Sequence, residues 1–426
     1  MNRDELYKRK AIEVHSRYKG KISVSLKVPI DSSDDFNVLY TPGVAEPSRA
    51  IAADPRRAYD LTNKHNFVAI VSDGSRVLGL GDVGPQAALP VMEGKALLFK
   101  YLGDVDAFPL CVSCRSPEEL VELVCRIAPT FGGINLEDIA SPKCFEVHEK
   151  LSKMLDIPVF HDDQHGTSVV VVAALLNALE VVGKDLKECR IALVGAGAAG
   201  IPTLKLLLRA GASPDKVLVC DSSGIISRGR TDLTPYKREV AEMTNPKCVE
   251  GDVRTAIRGA DVLIALSRPG PWIPKGWIRE MSEGAIVFAL ANPVPEIWPE
   301  DAKEAGAKVV ATGRGDFPNQ VNNCLAFPSF FRGMLEVQSR SFNIEVLYSA
   351  ARALAECVDE ASPERVIPTV DEVDVFIRTA TRVALECVRQ GFARLELGEA
   401  ELEKSIERRI NRSRAALEVL NRAGLL

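Results

Sequence analysis

The residues best placed to do chemistry in this chain are acids, one lysine and a set of glycines. Glu137 and Asp138 are adjacent and follow a strand-like apolar stretch, 131–136. Asp162 and Asp163 are adjacent too and follow a second such stretch, 157–160. Open α/β sheets collect their ligands at the carboxyl ends of strands. Three oxygen donors there suit Mg²⁺ or Mn²⁺, with water and substrate completing an octahedron. Two solvated acidic turns would carry the same residues, and the spacing leaves both readings open. His161 and His165 flank the acids without a zinc pattern and read as hydrogen-bonding neighbours.

Lys95 lies on a predicted helix, 87–101, among Ala96, Leu97, Leu98 and Phe99. A lysine in apolar surroundings can lose its proton near neutral pH and act as a base. It can equally snorkel to solvent. Arg76 follows an Asp73-Gly74 hairpin signal and has the planar fork to clamp a carboxylate, or simply faces solvent. Tyr40 opens a loop fixed by Pro42, Gly43 and Pro47, where a tyrosine can project into a cleft or sit at a rim. Asn292 and Asn323 stand in loops after predicted strands, with the uncharged donor and acceptor that suit a carboxamide or a hydroxy acid.

The third group is Gly195, Ala196, Gly197, Ala198, Ala199 and Gly200, a G-x-G-x-x-G turn. Residues 189–194 enter it as a buried strand and 201–210 leave it as a helix. The first glycine permits the turn, the second admits a pyrophosphate, and the third lets helix and strand pack closely. A second strand, 216–220, ends in Asp221, the acid that normally holds the adenosine ribose. Asp221 favours NAD, while Ser222, Ser223 and Arg228 leave room for the 2′-phosphate of NADP.

These groups need a scaffold of parallel strands. Apolar runs at 67–71, 105–112, 261–266, 285–290 and 308–312 alternate with helical stretches, which gives an α/β protein with a doubly wound parallel sheet. Residues 168–182 are apolar nearly throughout and read as a buried helix. A charged helix at 4–18 precedes an alternating stretch at 21–26, expected to be a half-buried strand. Ser116 caps a helix at 117–128. Leu402, Ile406 and Ile410 mark one face of an amphipathic C-terminal helix.

The 426 residues carry a net charge of −5 and no basic, aromatic-interleaved cluster, so nucleic acid is not an expected partner. No apolar run of membrane-spanning length is expected. The first residues lack a signal peptide's apolar core, and the ten scattered cysteines suit reduced thiols in a cytoplasmic protein. Cys111 and Cys114 form one C-x-x-C pair, short of the ligands zinc needs.

Taken together these stretches resemble the malic enzyme family in its shorter prokaryotic form. The resemblance rests on Tyr40-Thr41-Pro42-Gly43-Val44-Ala45, on residues 72–82, on Glu93-Gly94-Lys95, on 135–139, on His161-Asp162-Asp163-Gln164-His165-Gly166-Thr167, on the glycine turn, and on 289–293 with Asn322-Asn323. It spans the chain to about residue 335. It implies residues 1–160 as an N-terminal catalytic domain and 161–426 as a Rossmann NAD(P)-binding domain with a C-terminal helical extension. It implies Tyr40 as general acid, Lys95 as general base, and Asp162 as the neighbour that positions Lys95. Glu137, Asp138 and Asp163 match metal ligands. Arg76, Asn292 and Asn323 match malate-binding positions, and Thr167 and Asn292 join the glycine turn and Asp221 at the dinucleotide. The implied reaction is oxidative decarboxylation of (S)-malate to pyruvate and CO₂ with NAD(P)⁺ and a divalent metal. The implied assembly is a homodimer or larger, in which the tyrosine loop completes a neighbouring subunit's site. A metal-dependent oxaloacetate decarboxylase, a dinucleotide-sensing regulator and another hydroxy- or amino-acid dehydrogenase are the rival readings.

Overall fold

The computed structural model describes residues 3–114 and 116–425. It contains two sheets. The first has four strands in the order β2-β1-β3-β4. They are β1 (Phe67–Ser72), β2 (Asp106–Cys111), β3 (Gly133–Leu136) and β4 (Val159–His161), all parallel. β1 reads as an unbroken apolar run because it is central, with Val68, Ala69, Ile70 and Val71 fully buried. Helix Gly84–Gly103 crosses from β1 to β2 and carries Lys95.

The second sheet has six strands in the order β10-β9-β8-β5-β6-β7. Its parallel members are β5 (Ile191–Val194), β6 (Val217–Asp221), β8 (Val262–Ala265), β9 (Ile286–Ala289) and β10 (Val309–Thr312). β5 lies between β6 and β8, so the winding direction reverses there and opens a crevice at the carboxyl ends. The α/β class and the doubly wound sheet are as the sequence predicts. The two-residue antiparallel edge strand β7 (Gly224–Ile225) is an addition too short to leave a pattern.

The helices after residue 326 return to the first sheet. Phe327 and Phe331 of helix Phe327–Glu336 meet Phe99 at ring-centroid distances of 4.6 and 5.3 Å. Helix Glu399–Arg422 buries Leu402, Ile406 and Ile410, the predicted stripe, against the body. Arg412 on it reaches Asp104, the residue that caps the Lys95 helix, at 3.1 Å.

Three expectations fail. Residues 21–26 form no strand: Val24 is 86% exposed, Leu26 is 76% exposed, and no strand among the described residues pairs with them. Asp73-Gly74 makes no hairpin, because β1 pairs with parallel neighbours on both sides and the chain leaves into the loop that bears Arg76. One segment, Asp162–Val182, is long and apolar enough to cross a membrane, since a π-helical turn extends helix Thr167–Val182 backwards; 72% of its apolar window is buried inside the protein.

Candidate active site

Strand register assembles the acids. Leu136 of β3 pairs with His161 of β4, so Glu137 and Asp162, one residue further on, leave the sheet side by side. A turn of π-helix, Asp162–Gly166, follows directly. Such turns widen the backbone and recur at functional sites. Gly166 is required in it: a Cβ there would lie 2.0 Å from Asp162 Oδ1. Asp138 adopts φ 53, which turns the chain after Glu137. Its backbone N–H donates to Asp163 Oδ2 at 3.1 Å.

The result is one cluster. Single ligand oxygens of Glu137, Asp138 and Asp163 all lie within 4.8 Å of one another. Asp138 Oδ2 is buried and unpartnered. Burial, and then the mutual repulsion of the acids, holds the carboxyls of Glu137 and Asp138 above their ordinary range; burial likewise raises Asp163. Three crowded oxygens with an orphan among them fit a hard divalent cation, which would supply the missing positive charge.

Lys95 lies at the edge of the cluster. Its ammonium is 2.5 Å from Asp162 Oδ2, 3.0 Å from Glu137 Oε1 and 4.1 Å from the centroid of the Phe327 ring. Burial alone would push this amine down, as the sequence suggests. Asp162 and Glu137 outweigh it and hold the proton more tightly than usual. Thus the apolar neighbours along the helix do not set the protonation of Lys95; two acids from other elements do.

Asn323 donates to Asp162 Oδ2 at 2.8 Å and accepts from the Thr167 hydroxyl at 3.2 Å. The backbone N–H of Arg76 donates to the Asp138 carbonyl at 3.0 Å. His165 Nδ1 receives the backbone N–H of His161 at 3.0 Å, so His165 is the hydrogen-bonding neighbour expected, whereas both ring nitrogens of His161 are buried without a hydrogen-bond partner among the described residues.

A cavity of about 630 Å³ runs from Asp163 of this cluster to the glycine turn. Arg76, Asp163 and Thr167 line one end, and Asp221, Ser222 and Lys237 line the other, with 194–199 between them. Gly195 has φ 118, and a Cβ on Gly200 would lie 1.7 Å from the Gly195 carbonyl oxygen, so the turn needs both glycines. The cavity has the size for a dinucleotide, and Asp163 lies along its wall.

The sequence profile of the malic enzyme N-terminal domain matches residues 19–117, and that of the malic enzyme NAD-binding domain matches residues 164–390. The chain belongs to the malic enzyme family. It is 50% identical over 377 residues to the NAD-dependent malic enzyme of Geobacillus stearothermophilus, covering 88% of this chain and 78% of that one. It is 47% identical to the bifunctional malic/malolactic enzyme of Bacillus subtilis strain 168, covering 92% and 96%. The crystal structure of the malic enzyme from Pyrococcus horikoshii Ot3 superposes with a TM-score of 0.94 at 49% identity, covering 98% of this chain and 99% of that one.

Four residues singled out from the sequence have surroundings that their spacing does not convey. Tyr40 is 71% exposed on the loop after helix Asp35–Leu39 and makes no side-chain hydrogen bond among the described residues. Asp221 is not a bare acid: Arg230 reaches it at 2.8 Å and Lys237 at 2.6 Å, which helps hold its carboxyl down to about 2 against the opposing effect of burial. Arg228 turns away from this end to Glu242, at 3.3 Å. Asn292 is exposed on the loop after β9, where the backbone at Gly79 comes close: a Cβ there would lie 3.0 Å from the Asn292 carbonyl oxygen.

Other participants were missed. Asn135 donates to Glu137 Oε2 at 2.8 Å. It lies two residues before Glu137 on the same strand face, so period-two alternation was the available signal. Phe327 beneath Lys95 left no local signal, since it arrives from 232 residues away along the chain (327 − 95).

Proposed function

We propose that this malic enzyme oxidises and decarboxylates (S)-malate to pyruvate and CO₂, using NAD⁺ in preference to NADP⁺ and Mg²⁺ or Mn²⁺. The observation that carries this reading is a cavity that runs from the dinucleotide turn to Asp163, whose carboxylate belongs to a three-carboxylate cluster beside the buried Lys95. A dehydrogenase without decarboxylation has no need of the acids, and a decarboxylase or sensor has no need of both ends together.

When bound, an oxidised nicotinamide supplies the hydride acceptor, and a divalent cation on Glu137, Asp138 and Asp163 supplies electrophilic charge beside the substrate oxygens. Arg76 and Asn323 orient malate by its carboxylates. Lys95 accepts the C2 hydroxyl proton. For that, Lys95 must first give up its own proton to solvent, which would be easier with a cation holding Glu137 and only Asp162 facing the amine. Asp162 keeps the amine aimed, as Asn323 keeps Asp162 aimed. Thr167 and Asn292 border the nicotinamide side. A proton must reach C3 after CO₂ departs, and Tyr40 is the donor in this reading.

Tyr40 is exposed beside Phe36, Val38 and Leu39, which are 54%, 71% and 41% exposed. Such an apolar surface supports burial against a second copy of the chain. We therefore take the working form to be a homodimer or larger, with Tyr40 completing the partner's site. Residues 1–160 supply Tyr40, Arg76, Lys95, Glu137 and Asp138, and residues 161–426 supply the rest. Ten unpaired cysteines support a reducing, cytoplasmic location.

Lys95→Ala tests the assignment. It is expected to abolish pyruvate formation from malate while reduced dinucleotide still binds. Near-normal turnover would overturn it.

A further inference from the structure

Glu296 is fully buried, yet no step above uses it. Its surroundings explain why an acid is there. Ala265 of β8 pairs with Ala289 of β9, and the Leu290 N–H to the Ala265 carbonyl closes the ladder between them. Beyond that bond the strands splay, and the N–H groups of Ser267 and Ala291, two residues past the pair, lose their partners. Glu296 takes both. Its Oε1 accepts from the Ser267 N–H at 2.8 Å and the Ser267 hydroxyl at 2.9 Å, and its Oε2 accepts from the Ala291 N–H at 3.1 Å. The backbone follows the same course: Ile273 N–H donates to the Glu296 carbonyl at 2.9 Å, and Gly270 N–H to the Val294 carbonyl at 3.0 Å.

The two loops tied in this way flank the dinucleotide crevice. Ser267 lines the cavity, and the residue before it, Leu266, abuts the glycine turn so closely that a Cβ on Gly195 would lie 2.3 Å from its carbonyl oxygen. Ala291 precedes Asn292. The adenosine half of a dinucleotide belongs over β6, at Asp221; the pyridine half then runs the other way, over β8 and β9.

We propose that Glu296 is a positioning residue that fixes the gap between these two loops and so the seat of the nicotinamide ring. The inference rests on the dinucleotide reading above. It makes a distinction that a general stabilising role does not. Loss of the tie loosens the pyridine end and leaves the adenosine end, built on Gly195–Gly200 and Asp221, as it was.

The test is calorimetric titration of the full chain with NADH and with ADP-ribose, which ends before the pyridine ring. Glu296→Gln has a single acceptor oxygen and sets an NH₂ group against one of the two N–H groups. Its NADH dissociation constant is expected to rise about tenfold, the scale of one buried donor left unpaired, with ADP-ribose unchanged. Glu296→Asp keeps the charge but cannot span both loops, and is expected to show the same selective loss; it carries the test if the Gln variant does not fold. An equal loss for both ligands, or no loss for either, would overturn the proposal. Wild-type protein that binds both ligands but does not turn over malate would overturn the reaction proposed above and leave this measurement valid.

Discussion

Asn323 Nδ2 lies 2.8 Å from Asp162 Oδ2, the same oxygen that receives the Lys95 ammonium at 2.5 Å. The acid is thus a fixed point between a residue on the helix that crosses the first sheet and one that follows the second sheet. Glycine at 166 leaves it the room to be there.

Replacing that acid gives a first prediction. Asp162→Asn removes a charge that raises the Lys95 pKa and leaves the amide shape in place. The acid-side limb of the kcat profile is expected to move to lower pH, because a less stabilised ammonium gives up its proton earlier. Turnover at neutral pH is expected to fall about a hundredfold as the base loses its aim. Dinucleotide affinity is expected to stay constant. A pH profile that does not move would contradict the role given to Asp162.

A second prediction concerns the cation. Burial, then Asp163, raises the Asp138 carboxyl from 3.8 to about 7 in the cation-free fold. Across that window the folded chain keeps a proton that the unfolded chain has released, so the cation-free fold loses stability as pH rises. A bound cation removes this loss by pairing with the ionised acids. The rise in Tm on adding Mn²⁺ is therefore expected to grow from pH 5 to pH 7 and then level off. A constant rise, or none, would count against the three-carboxylate site.

Much of this arrangement is legible along the chain. β3, β4 and β6 are mostly apolar runs that end at or just before an acid, Glu137, Asp162 and Asp221. The glycine turn and the stripe Leu402, Ile406, Ile410 are equally local. What is not legible is long-range. Residues 21–26 alternate as a strand would but pair with no strand among the described residues. Lys95 reads as an amine lowered by apolar neighbours, whereas Asp162 and Glu137, brought in by the parallel pairing of β3 and β4, set its charge. Asp221 reads as an open acid until Arg230 and Lys237 fold back onto it.

The C-terminal helix yields a stability prediction. Ile406 is fully buried in the contact that latches this helix to the body. Ile406→Ala is expected to cost about 2–5 kcal/mol, read by denaturant unfolding. A change well under ~1 kcal/mol would mean that the helix is not part of the cooperative fold.

Dinucleotide choice can be read at Asp221. A 2′-phosphate placed there meets a carboxylate held ionised, although Lys237 stands 2.6 Å away and offers partial relief. NAD⁺ is expected to give the higher kcat/KM with malate, and Lys237→Ala is expected to weaken NADP⁺ more than NAD⁺. Preference for NADP⁺ in the wild-type protein would reverse this reading.

The most direct measurement is the ratio of products. Protein supplied with (S)-malate, NAD⁺ and Mn²⁺ is expected to form reduced dinucleotide and pyruvate in equal amounts, with both lost together in Asp163→Asn. Pyruvate without reduced dinucleotide, reduced dinucleotide with oxaloacetate left intact, or binding with no turnover at all would each contradict a single cleft that carries out both steps.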